Sequence, residues 1–461
     1  MAKHYSKKFW ALFVVVSVAL LLSLFVFLEW KRSGFASLQR FLGVVPVKEE
    51  MQTDMSTLLT IADALTDTNG ETRTYLILFQ NNMELRPGGG YIGSFGILKI
   101  KDGQALSLDV HDTVNFDGRI PDTVPAPYPM KETLGVSSLK LRDSNHSPDF
   151  ATNAKAAEDF YHMGKGEEQF DGVIGVTTHV LESVLAVTGP VEVPGYEGSF
   201  GKDNAVLDLE YQVEQKYYKE GIAFGDRKSI MGELSAQILK KVKELSIQDK
   251  YRLFQIILGD LHSKDIQVAF KDFTLQTQVE KASWDGNIDT TWSQDYLFLV
   301  DSNANAFKSD LYVVRTYDYS VDLTEAEPRA TLKVNYHHTA KEKSYLTKDY
   351  QAYARIYVQK GAYIESIEPL SHKVVYGEEF DKKVAGTIVQ VPLGTEKTLT
   401  YEYKLPKSIA TGDDYDLKIQ KQSGMKNDTK VNVSIKHKNG TTKKYQFNLE
   451  RDTVLSTLTP Q

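Results

Sequence analysis

The hydrophobic pattern divides the chain into an apolar N-terminal run, a region of mixed helix and strand periodicity, and a region of short alternating strands. The apolar run, residues 9–28, contains no charged residue. Its length of about 20 residues spans a bilayer as a helix, whereas the apolar core of a cleaved signal peptide is shorter. We therefore predict a single uncleaved transmembrane helix, preceded by a cytoplasmic stub of residues 1–8.

Apolar residues recur at helical spacing between Val47 and Leu65, and Asn69-Gly70 ends that pattern. The pattern predicts a helical stalk within residues 29–70. No second apolar run of comparable length follows it in this sequence. We therefore expect a single-pass protein of the cell membrane, with the bilayer as a partner and the bulk of the chain extracytoplasmic.

Strand and helix patterns alternate over residues 71–292. The segment TYLILF, residues 74–79, is typical of a buried strand, and the apolar segments that follow predict a hairpin turning at Asp102-Gly103. Because helices lie between the strands, the pattern favours a layered α/β/α domain with a mixed sheet.

Residues 293–461 contain short strand-like runs separated by turns, which predicts a C-terminal all-β sandwich. The strongest hairpin signal in this region is Asn439-Gly440. Tyrosines alternate along the predicted strands, and such residues either offer a face for stacking glycans or are simply half-buried strand residues. We favour the second interpretation for Tyr353, Tyr357, Tyr401 and Tyr403.

The composition narrows the classes of function. A net charge of -7 gives no general basic surface, so no nucleic-acid partner is expected. The absence of cysteine excludes disulfides, thiolate metal sites and cysteine nucleophiles. Hydrophobic and charged fractions of 41% and 25% are those of an ordinary globular protein.

The stretch NNMELRPGGGYIGSFGILKI, residues 81–100, follows the first predicted strand. Gly88, Gly90 and Gly93 satisfy the dinucleotide fingerprint G-x-G-x-x-G, but strand-forming residues follow where that fold needs a helix. A nucleotide site is therefore rejected. The glycines instead allow a sharp turn that leaves Arg86 at the end of a buried strand, where layered α/β folds bind ligands.

The stretch DSNHSPDF, residues 143–150, carries alternating polar side chains like those of a calcium loop. An EF-hand is excluded because Pro148 and Ala154 stand where that loop needs glycine and an acid. A looser divalent site remains open. The favoured alternative is turn chemistry, with Thr152 capping the following helix.

Both stretches, together with FDGVIGVTTHVLESVLAVTGPVEV (residues 170–193) and NANAFKSDLYVVR (residues 303–315), closely resemble the bacterial family called domain of unknown function 4012. The resemblance covers most of the chain after the anchor and implies an anchored envelope protein, without an activity. The order of elements is more distantly similar to the LytR-CpsA-Psr family. Members of that family are membrane-anchored transferases that move glycopolymers from polyprenyl pyrophosphate carriers to the cell wall.

The distant resemblance implies a site. The first family motif corresponds to residues 85–88 here, its Arg-Asp-Thr to residues 111–113, and its arginine-rich helix to GDRKSIMGEL, residues 225–234. It implies catalytic roles for Arg86, Asp112 and Arg227, with a Mg²⁺ ion held by Asp112. We further expect these residues and Asp143 to surround one phosphate-sized pocket, in which Asp143 also contacts the metal. The ligand contacts expected in that pocket are Asn82, Glu84, Gly89, His111, Asp143, Asn145 and Lys228.

The sequence also departs from that pattern. Glycine replaces the aspartate of the first motif, His111 stands in place of an arginine, and Met231 falls within the arginine-rich segment. Two hypotheses therefore remain. One is a phosphotransferase acting on polyprenyl-linked glycan, and the other is a non-catalytic envelope module that binds glycan, lipid phosphate or a protein. The expected partners are polyprenyl-phosphate-linked glycan or peptidoglycan. In the second hypothesis Arg86 pairs structurally with Glu84 or Asp143.

Overall fold

The computed structural model of the protein describes residues 49–66, 70–219, 221–222, 229–410 and 415–456. The predicted transmembrane segment lies outside these ranges, and so do two of the predicted site residues, Arg227 and Lys228. Within the described ranges, no helix is both long enough and apolar enough to cross a membrane.

The first part of the described chain alternates between strands and helices. The strands are β1 (Arg73–Arg86), β2 (Gly89–Lys101), β3 (Gln104–Asp112), β4 (Gly172–Thr177), β5 (Val191–Glu192), β6 (Ser199–Phe200) and β7 (Ile266–Phe270). The helices are α1 (Glu49–Thr66), α2 (Thr113–Asp117), α3 (Met130–Leu134), α4 (Phe150–Met163), α5 (His179–Thr188), α6 (Ala205–Tyr211), α7 (Ser229–Glu244), α8 (Ile247–His262) and α9 (Phe273–Lys281).

Five of these strands form one mixed sheet in the order β3-β2-β1-β4-β7. β1 pairs antiparallel with β2 and parallel with β4, and β2 and β3 form the predicted hairpin about Asp102-Gly103. Side chains alternate along β1, so Ile77 joins a core with α5, α7 and α8, whereas Leu76 joins a core with α4 on the other face. The sheet is therefore covered on both faces, as the sequence predicted.

Helix α1 is the described part of the predicted stalk. Its residues Ile61 and Leu65 are buried in the core shared with α5 and α7. The Thr57 hydroxyl also donates to the backbone carbonyl of Gln278 in α9 at 3.2 Å. This helix is therefore docked on the α/β domain along its C-terminal half.

The second part of the described chain is a β-sandwich, as predicted. Its strands are β8 (Asp295–Asn303), β9 (Val313–Asp322), β10 (Arg329–His338), β11 (Tyr350–Gln359), β12 (Tyr363–Glu368), β13 (Val375–Glu379), β14 (Lys382–Val391), β15 (Glu396–Lys404), β16 (Asp416–Gln420), β17 (Lys430–Lys436), β18 (Thr442–Asn448) and β19 (Thr453–Ser456). They form two six-stranded sheets, in the orders β12-β15-β10-β9-β17-β18 and β13-β14-β11-β8-β16-β19.

The sandwich core contains large aromatic side chains as well as aliphatic ones. Tyr357, Tyr401 and Tyr403 are fully buried, and Tyr353 is half-buried. Tyr357, Tyr401 and Tyr403 are therefore interior residues, and of these four tyrosines only Tyr353 keeps part of its surface exposed, so they do not form a continuous face for glycan stacking. The predicted hairpin at Asn439-Gly440 joins β17 to β18.

The end of β1 contacts the sandwich directly. Arg86 Nη1 donates to the Asn303 carbonyl at 2.6 Å, and the Leu85 amide donates to Asp310 Oδ2 at 3.1 Å. In return, Gln422 Nε2 donates to the Arg86 carbonyl at 3.0 Å. The motif around Arg86 is thus fixed between the two domains.

Candidate functional site

The consecutive glycines connect β1 to β2 in a space that excludes side chains. An added Cβ at Gly90 would lie 2.3 Å from the backbone carbon of Asn81, and one at Gly89 would lie 1.6 Å from Gln80 Oε1. Gly89 also has a φ of 133°, which side-chain-bearing residues rarely adopt. The glycines are therefore required by close packing, and no phosphate is needed to explain them.

Asn145 supports this turn from the neighbouring segment. Its Nδ2 donates to the Gly90 carbonyl at 2.6 Å, and its own carbonyl accepts from the Gly88 amide at 3.1 Å. The side chain is fully buried. Asn145, which the sequence suggested as a ligand contact, thus holds the glycine turn in place.

The segment 143–150 forms turns and a helix cap, in agreement with the favoured interpretation. The capping residue differs from the prediction, however. Asp149 Oδ1 accepts from the Thr152 amide at 2.9 Å and from the Thr152 hydroxyl at 2.7 Å. Asp149 caps α4 because the helix begins at Phe150, two residues before the predicted cap.

Arg86 is buried and paired within its own strand. Its Nη2 lies 2.6 Å from Glu84 Oε1, which is one of the two structural pairings that the sequence left open. A register shift in β1 between Asn81 and Leu85 makes Glu84 part of a bulge. Burial raises the pKa of the Asp143 carboxyl, and the nearby Arg86 guanidinium opposes that shift.

A cavity of about 870 Å³, which we call the cleft, opens beside this bulge. The lining of the cleft includes apolar side chains that come mainly from β4 and from helices α5, α6 and α7, and we call this set the apolar wall. The apolar wall comprises Val176, Leu181, Val206, Leu209, Val213, Met231 and Leu234. Charged side chains line the same cavity, and the set that we call the charged wall includes Glu84, Arg86, Lys140, Arg142, Asp143, Glu210 and Lys308.

The basic side chains of the charged wall are already neutralised by carboxylates. All four basic residues that line the cleft, among those the structure describes, have a carboxylate oxygen within 3.0 Å. The nitrogen–oxygen distances are 2.6 Å for Arg86–Glu84, 2.7 Å for Lys140–Asp122, 2.9 Å for Arg142–Asp117 and 3.0 Å for Lys308–Glu210.

Several acids of this region are poorly solvated. Burial raises the pKa of Asp117 to about 6, although the neighbouring Arg142 opposes the shift. Burial also raises the pKa of Glu210, and Lys308 opposes it. These carboxyl groups therefore take up a proton at higher pH than exposed acids do.

Five of the predicted site residues that the structure describes lie outside the lining of the cleft, and Asp112 and His111 are two of them. Asp112 accepts from the Val114 amide at 2.8 Å and caps helix α2. The His111 ring stacks on Phe95 with ring centroids 5.0 Å apart, and burial lowers the pKa of its imidazole. Only Asp143 of the predicted magnesium pair lines the cleft, so Mg²⁺ binding stays a prediction.

Of the remaining predicted residues, some hold the turn and the bulge in place, and others line the cleft. Asn82 donates to the Gly424 carbonyl at 3.1 Å and accepts from the Thr178 hydroxyl, which fixes the bulge to both the sandwich and α5. Gly89 lies in the turn. Glu84, Arg86 and Asp143 are thus the predicted residues that line the cleft.

Sequence reasoning missed several members of the charged wall. Arg142 immediately precedes the stretch 143–150. A basic residue beside that acidic stretch is the sequence signal that could have identified Arg142 as part of the site. Lys308 lies in a segment that was recognised only for its resemblance. Its partner Glu210 is 98 residues earlier in the chain, so no local pattern connects the two.

The solved structures with a partial similarity include two proteins of Listeria and one of B. subtilis. The Lin1025 protein from Listeria innocua is 13% identical over 49% of this chain and 85% of its own, with a TM-score of 0.27. TagV of B. subtilis is 11% identical over 47% of this chain and 80% of its own, with a TM-score of 0.27. Lmo1026 from Listeria monocytogenes is 13% identical over 50% and 86%, with a TM-score of 0.25. Such TM-scores are too low to support a conclusion about fold or activity.

The sequence comparisons match only one segment of the chain. None of the curated proteins matches the chain significantly. Residues 70–213 match the family described as "Protein of unknown function (DUF4012)". That segment includes the glycine turn, much of the charged wall and the first part of the apolar wall. The predicted similarity to the domain of unknown function 4012 is therefore confirmed over residues 70–213, and the motif at residues 303–315 lies outside the match.

Proposed function

We propose that the protein is a membrane-anchored, envelope-facing module that binds a polyprenyl-linked lipid in the cleft without transferring it. The observation that carries this proposal is that one cleft is lined by both apolar and charged side chains. A ligand that satisfies both walls has a long hydrocarbon chain and a polar head. A polyprenyl phosphate, with or without a glycan, has this composition.

The apolar wall supports the assignment of the chain end of the ligand. The volume of the whole cleft, about 870 Å³, lies within the usual range of about 300–1,000 Å³ for small-molecule sites. Burying each methylene of a ligand against aliphatic side chains contributes about 0.8 kcal/mol. Several isoprene units against Leu181, Leu209 and Leu234 therefore supply much of the binding free energy.

The charged wall favours binding over transfer. Phosphoryl transfer depends on cations that are placed to neutralise the transferring group. The four basic residues described in the cleft are each engaged with a carboxylate instead. Asp112, which the transferase hypothesis used as a metal ligand, caps α2. A head group in this wall is therefore recognised by hydrogen bonds to paired charges.

The proposed anchor, residues 9–28, concentrates the protein at the membrane that contains such lipids. We expect the protein to stay with the membrane through a carbonate wash. Protease added to intact cells is expected to digest the bulk of the chain. Release of a soluble protein beginning near Ser37 would instead identify the segment as a signal peptide.

Binding can be measured with the full-length protein in detergent, using labelled polyprenyl phosphate and, as competitors, unlabelled polyprenol and inorganic pyrophosphate. We expect polyprenol to compete and pyrophosphate to compete poorly. Leu181→Trp fills the apolar wall and is expected to weaken binding at least tenfold. Val454→Trp places the same side chain on an exposed position of the sandwich and serves as the matched control.

Two results would contradict the proposal. If pyrophosphate competed as well as the labelled lipid while polyprenol did not compete, the site would recognise phosphate alone. If Leu181→Trp bound the lipid as tightly as the Val454→Trp control, the lipid would lie elsewhere. Release of glycan from a polyprenyl-linked donor onto peptidoglycan would support the transferase hypothesis in place of simple binding.

A further inference from the structure

A second group of chemically capable side chains lies where the sheet meets α5 and α8. His179 is the first residue of α5, Asp260 lies in the last turn of α8, and Asp265 directly precedes β7. The antiparallel pairing of β4 with β7 brings these elements together, and the Thr177 amide donates to the Asp265 carbonyl at 2.9 Å. None of the three side chains lines the cleft.

The three side chains offer one nitrogen and two carboxylate oxygens that all lie within 4.8 Å of one another. Zinc binds histidine nitrogen and carboxylate oxygen at about 2.0–2.2 Å in a tetrahedral arrangement, so its ligand atoms lie about 3.3–3.6 Å apart. Inward side-chain movements on the order of 1 Å bring the three atoms to that spacing. Imidazole with carboxylates suits zinc and similar first-row divalent ions.

Asp260 supplies an independent indication of a missing ligand. Its side chain is 4% exposed, and its Oδ1 accepts from the Ser183 hydroxyl at 3.0 Å. Its Oδ2 is buried and has no hydrogen-bond partner among the residues that the structure describes. Buried carboxylate oxygens are normally hydrogen-bonded or bound to a cation, so this oxygen calls for a partner.

The other two side chains are held as metal ligands usually are. His179 Nδ1 lies 3.2 Å from Glu182 Oε2, which leaves Nε2 for a metal. Asp265 accepts from the Thr177 hydroxyl at 2.7 Å and from the Ser263 hydroxyl at 2.5 Å. Outer partners of this kind fix the orientation of ligating histidines and carboxylates.

Charges around the group also favour a cation. His179 faces three carboxylates, those of Glu182, Asp260 and Asp265. The buried ammonium of Lys421 approaches from the sandwich side and interacts with Asp265. Lys426 interacts with Glu182, so two lysines oppose the three acids and an excess of negative charge remains.

The group is accessible. A cavity of about 470 Å³ is lined by both His179 and Asp260, which gives an ion a path from solvent. The same cavity leaves room for water to complete the coordination of a metal that has three protein ligands. Access of this kind is expected of an exchangeable ion.

We propose that His179, Asp260 and Asp265 bind one divalent transition-metal ion, with zinc as the best match to this donor set. The ion would link the start of α5, the end of α8 and the start of β7. This site is independent of the cleft and of the lipid proposed to bind there.

The test uses tag-free, full-length protein in detergent, stripped of metal with a chelator and then equilibrated with zinc. Bound zinc is measured by elemental analysis, and thermal unfolding is followed with and without zinc. We expect about one tightly bound zinc per chain and a higher unfolding temperature with zinc. Asp260→Asn is expected to weaken zinc binding at least tenfold.

Asp416→Asn is the matched control, because Asp416 also has an unpartnered buried oxygen but belongs to no metal-capable group of the described residues. This variant should bind zinc like the parent. In the absence of zinc, Asp260→Asn should unfold at the same temperature as the parent or higher, because it removes a buried charge. Zinc should then reverse that order.

Two results would overturn the proposal. One is the absence of tight zinc binding by the parent protein. The other is undiminished zinc binding by Asp260→Asn. If Asp260→Asn lowered the unfolding temperature without zinc and zinc changed neither protein, the group would be an ion pair between protonated His179 and its acids.

Discussion

Arg315 in the sandwich and Arg86 beside the cleft are both buried, but their surroundings differ. Arg315 donates to Asp301 Oδ2 at 2.7 Å, to Asp310 Oδ1 at 2.7 Å and to the Tyr350 hydroxyl at 2.6 Å. Asp301 and Tyr350 belong to the sheet opposite that of Arg315, Asp310 lies in the turn before β9, and none of these residues lines the cleft. Arg315 is thus part of a closed structural network.

Arg86 has fewer partners and borders a cavity. It donates to Glu84 and to the Asn303 carbonyl, while its buried Nε has no partner among the described residues. The two clusters are connected, because Asn303 Nδ2 donates to Asp310 at 2.8 Å. The comparison teaches that a buried charged side chain indicates a ligand-binding site only where some of its hydrogen-bond donors have no protein partner and a cavity lies beside it.

Removing Arg315 should give the largest effect on stability. Arg315→Ala leaves Asp301 and Asp310 buried without their counter-charge, so we expect a loss of about 3–5 kcal/mol in the free energy of unfolding. Arg329 is half-exposed, and Arg329→Ala should cost no more than about 1 kcal/mol. Urea unfolding of the two variants checks the difference, and equal losses would contradict a closed network.

The pH dependence of stability should reveal a second sandwich network that contains no cation. Asp295 is fully buried and accepts hydrogen bonds from the hydroxyls of Tyr319, at 2.6 Å, and Tyr415. Burial raises the pKa of its carboxyl to about 6. Because the folded state then holds the proton more tightly than the unfolded state, stability is lost as the pH rises from about 4 to 6.

Asp295→Asn removes this titration and isolates its effect. A difference of about two pKa units corresponds to about 3 kcal/mol. We therefore expect the variant to gain stability relative to the parent between pH 4 and pH 6, and the difference to be constant above pH 7. Thermal unfolding midpoints across this range check the prediction. A difference that does not change with pH would show that Asp295 does not titrate as proposed.

The glycine turn should tolerate side chains less well than an ordinary surface glycine. Gly90→Ala places a methyl group against the backbone of Asn81, so part of β1 must shift, at a cost of about 1–3 kcal/mol. Gly118 has ordinary dihedrals and its nearest contact is 3.9 Å away, so Gly118→Ala is the control. Chemical denaturation should separate the two variants. If both were neutral, close packing would not explain the glycines.

Neutralising the pair beside the cleft should change ligand binding more than stability. The double variant Glu84→Gln, Arg86→Met removes both charges together, so we expect only about 1 kcal/mol of destabilisation, from the lost bond to Asn303. Binding of polyprenyl phosphate should fall about tenfold, which corresponds to about 1.4 kcal/mol. A stability loss as large as that of Arg315→Ala would make Arg86 purely structural.

Elements with local signals were predicted well from the sequence. Asp102-Gly103 and Asn439-Gly440 are residue pairs that favour tight turns, and the structure has a hairpin at each of them. The change from mixed periodicity to short alternating strands likewise identified the sandwich. These features depend on neighbouring residues, which is why a single sequence contains enough information for them.

Features that depend on distant contacts were not predicted. Arg86 donates a hydrogen bond to the carbonyl of Asn303, which is 217 residues later in the chain. The metal-capable group likewise brings His179 together with Asp260 and Asp265, which belong to a distant part of the chain. No short motif records either arrangement. The capping of α4 by Asp149 was also missed, since the start of a helix is uncertain by a few residues when judged from periodicity alone.

The central claim is that the cleft holds a polyprenyl-linked lipid, and the most direct test is to identify the lipid that the protein retains. Full-length parent, Leu209→Trp and Val454→Trp proteins would be purified from bacterial membranes in a mild detergent, and their bound lipids measured by mass spectrometry. We expect about one polyprenyl-linked lipid per chain in the parent and in Val454→Trp, and less than one tenth of that amount in Leu209→Trp. Equal amounts in all three proteins, or no polyprenyl-linked lipid in the parent, would contradict the claim.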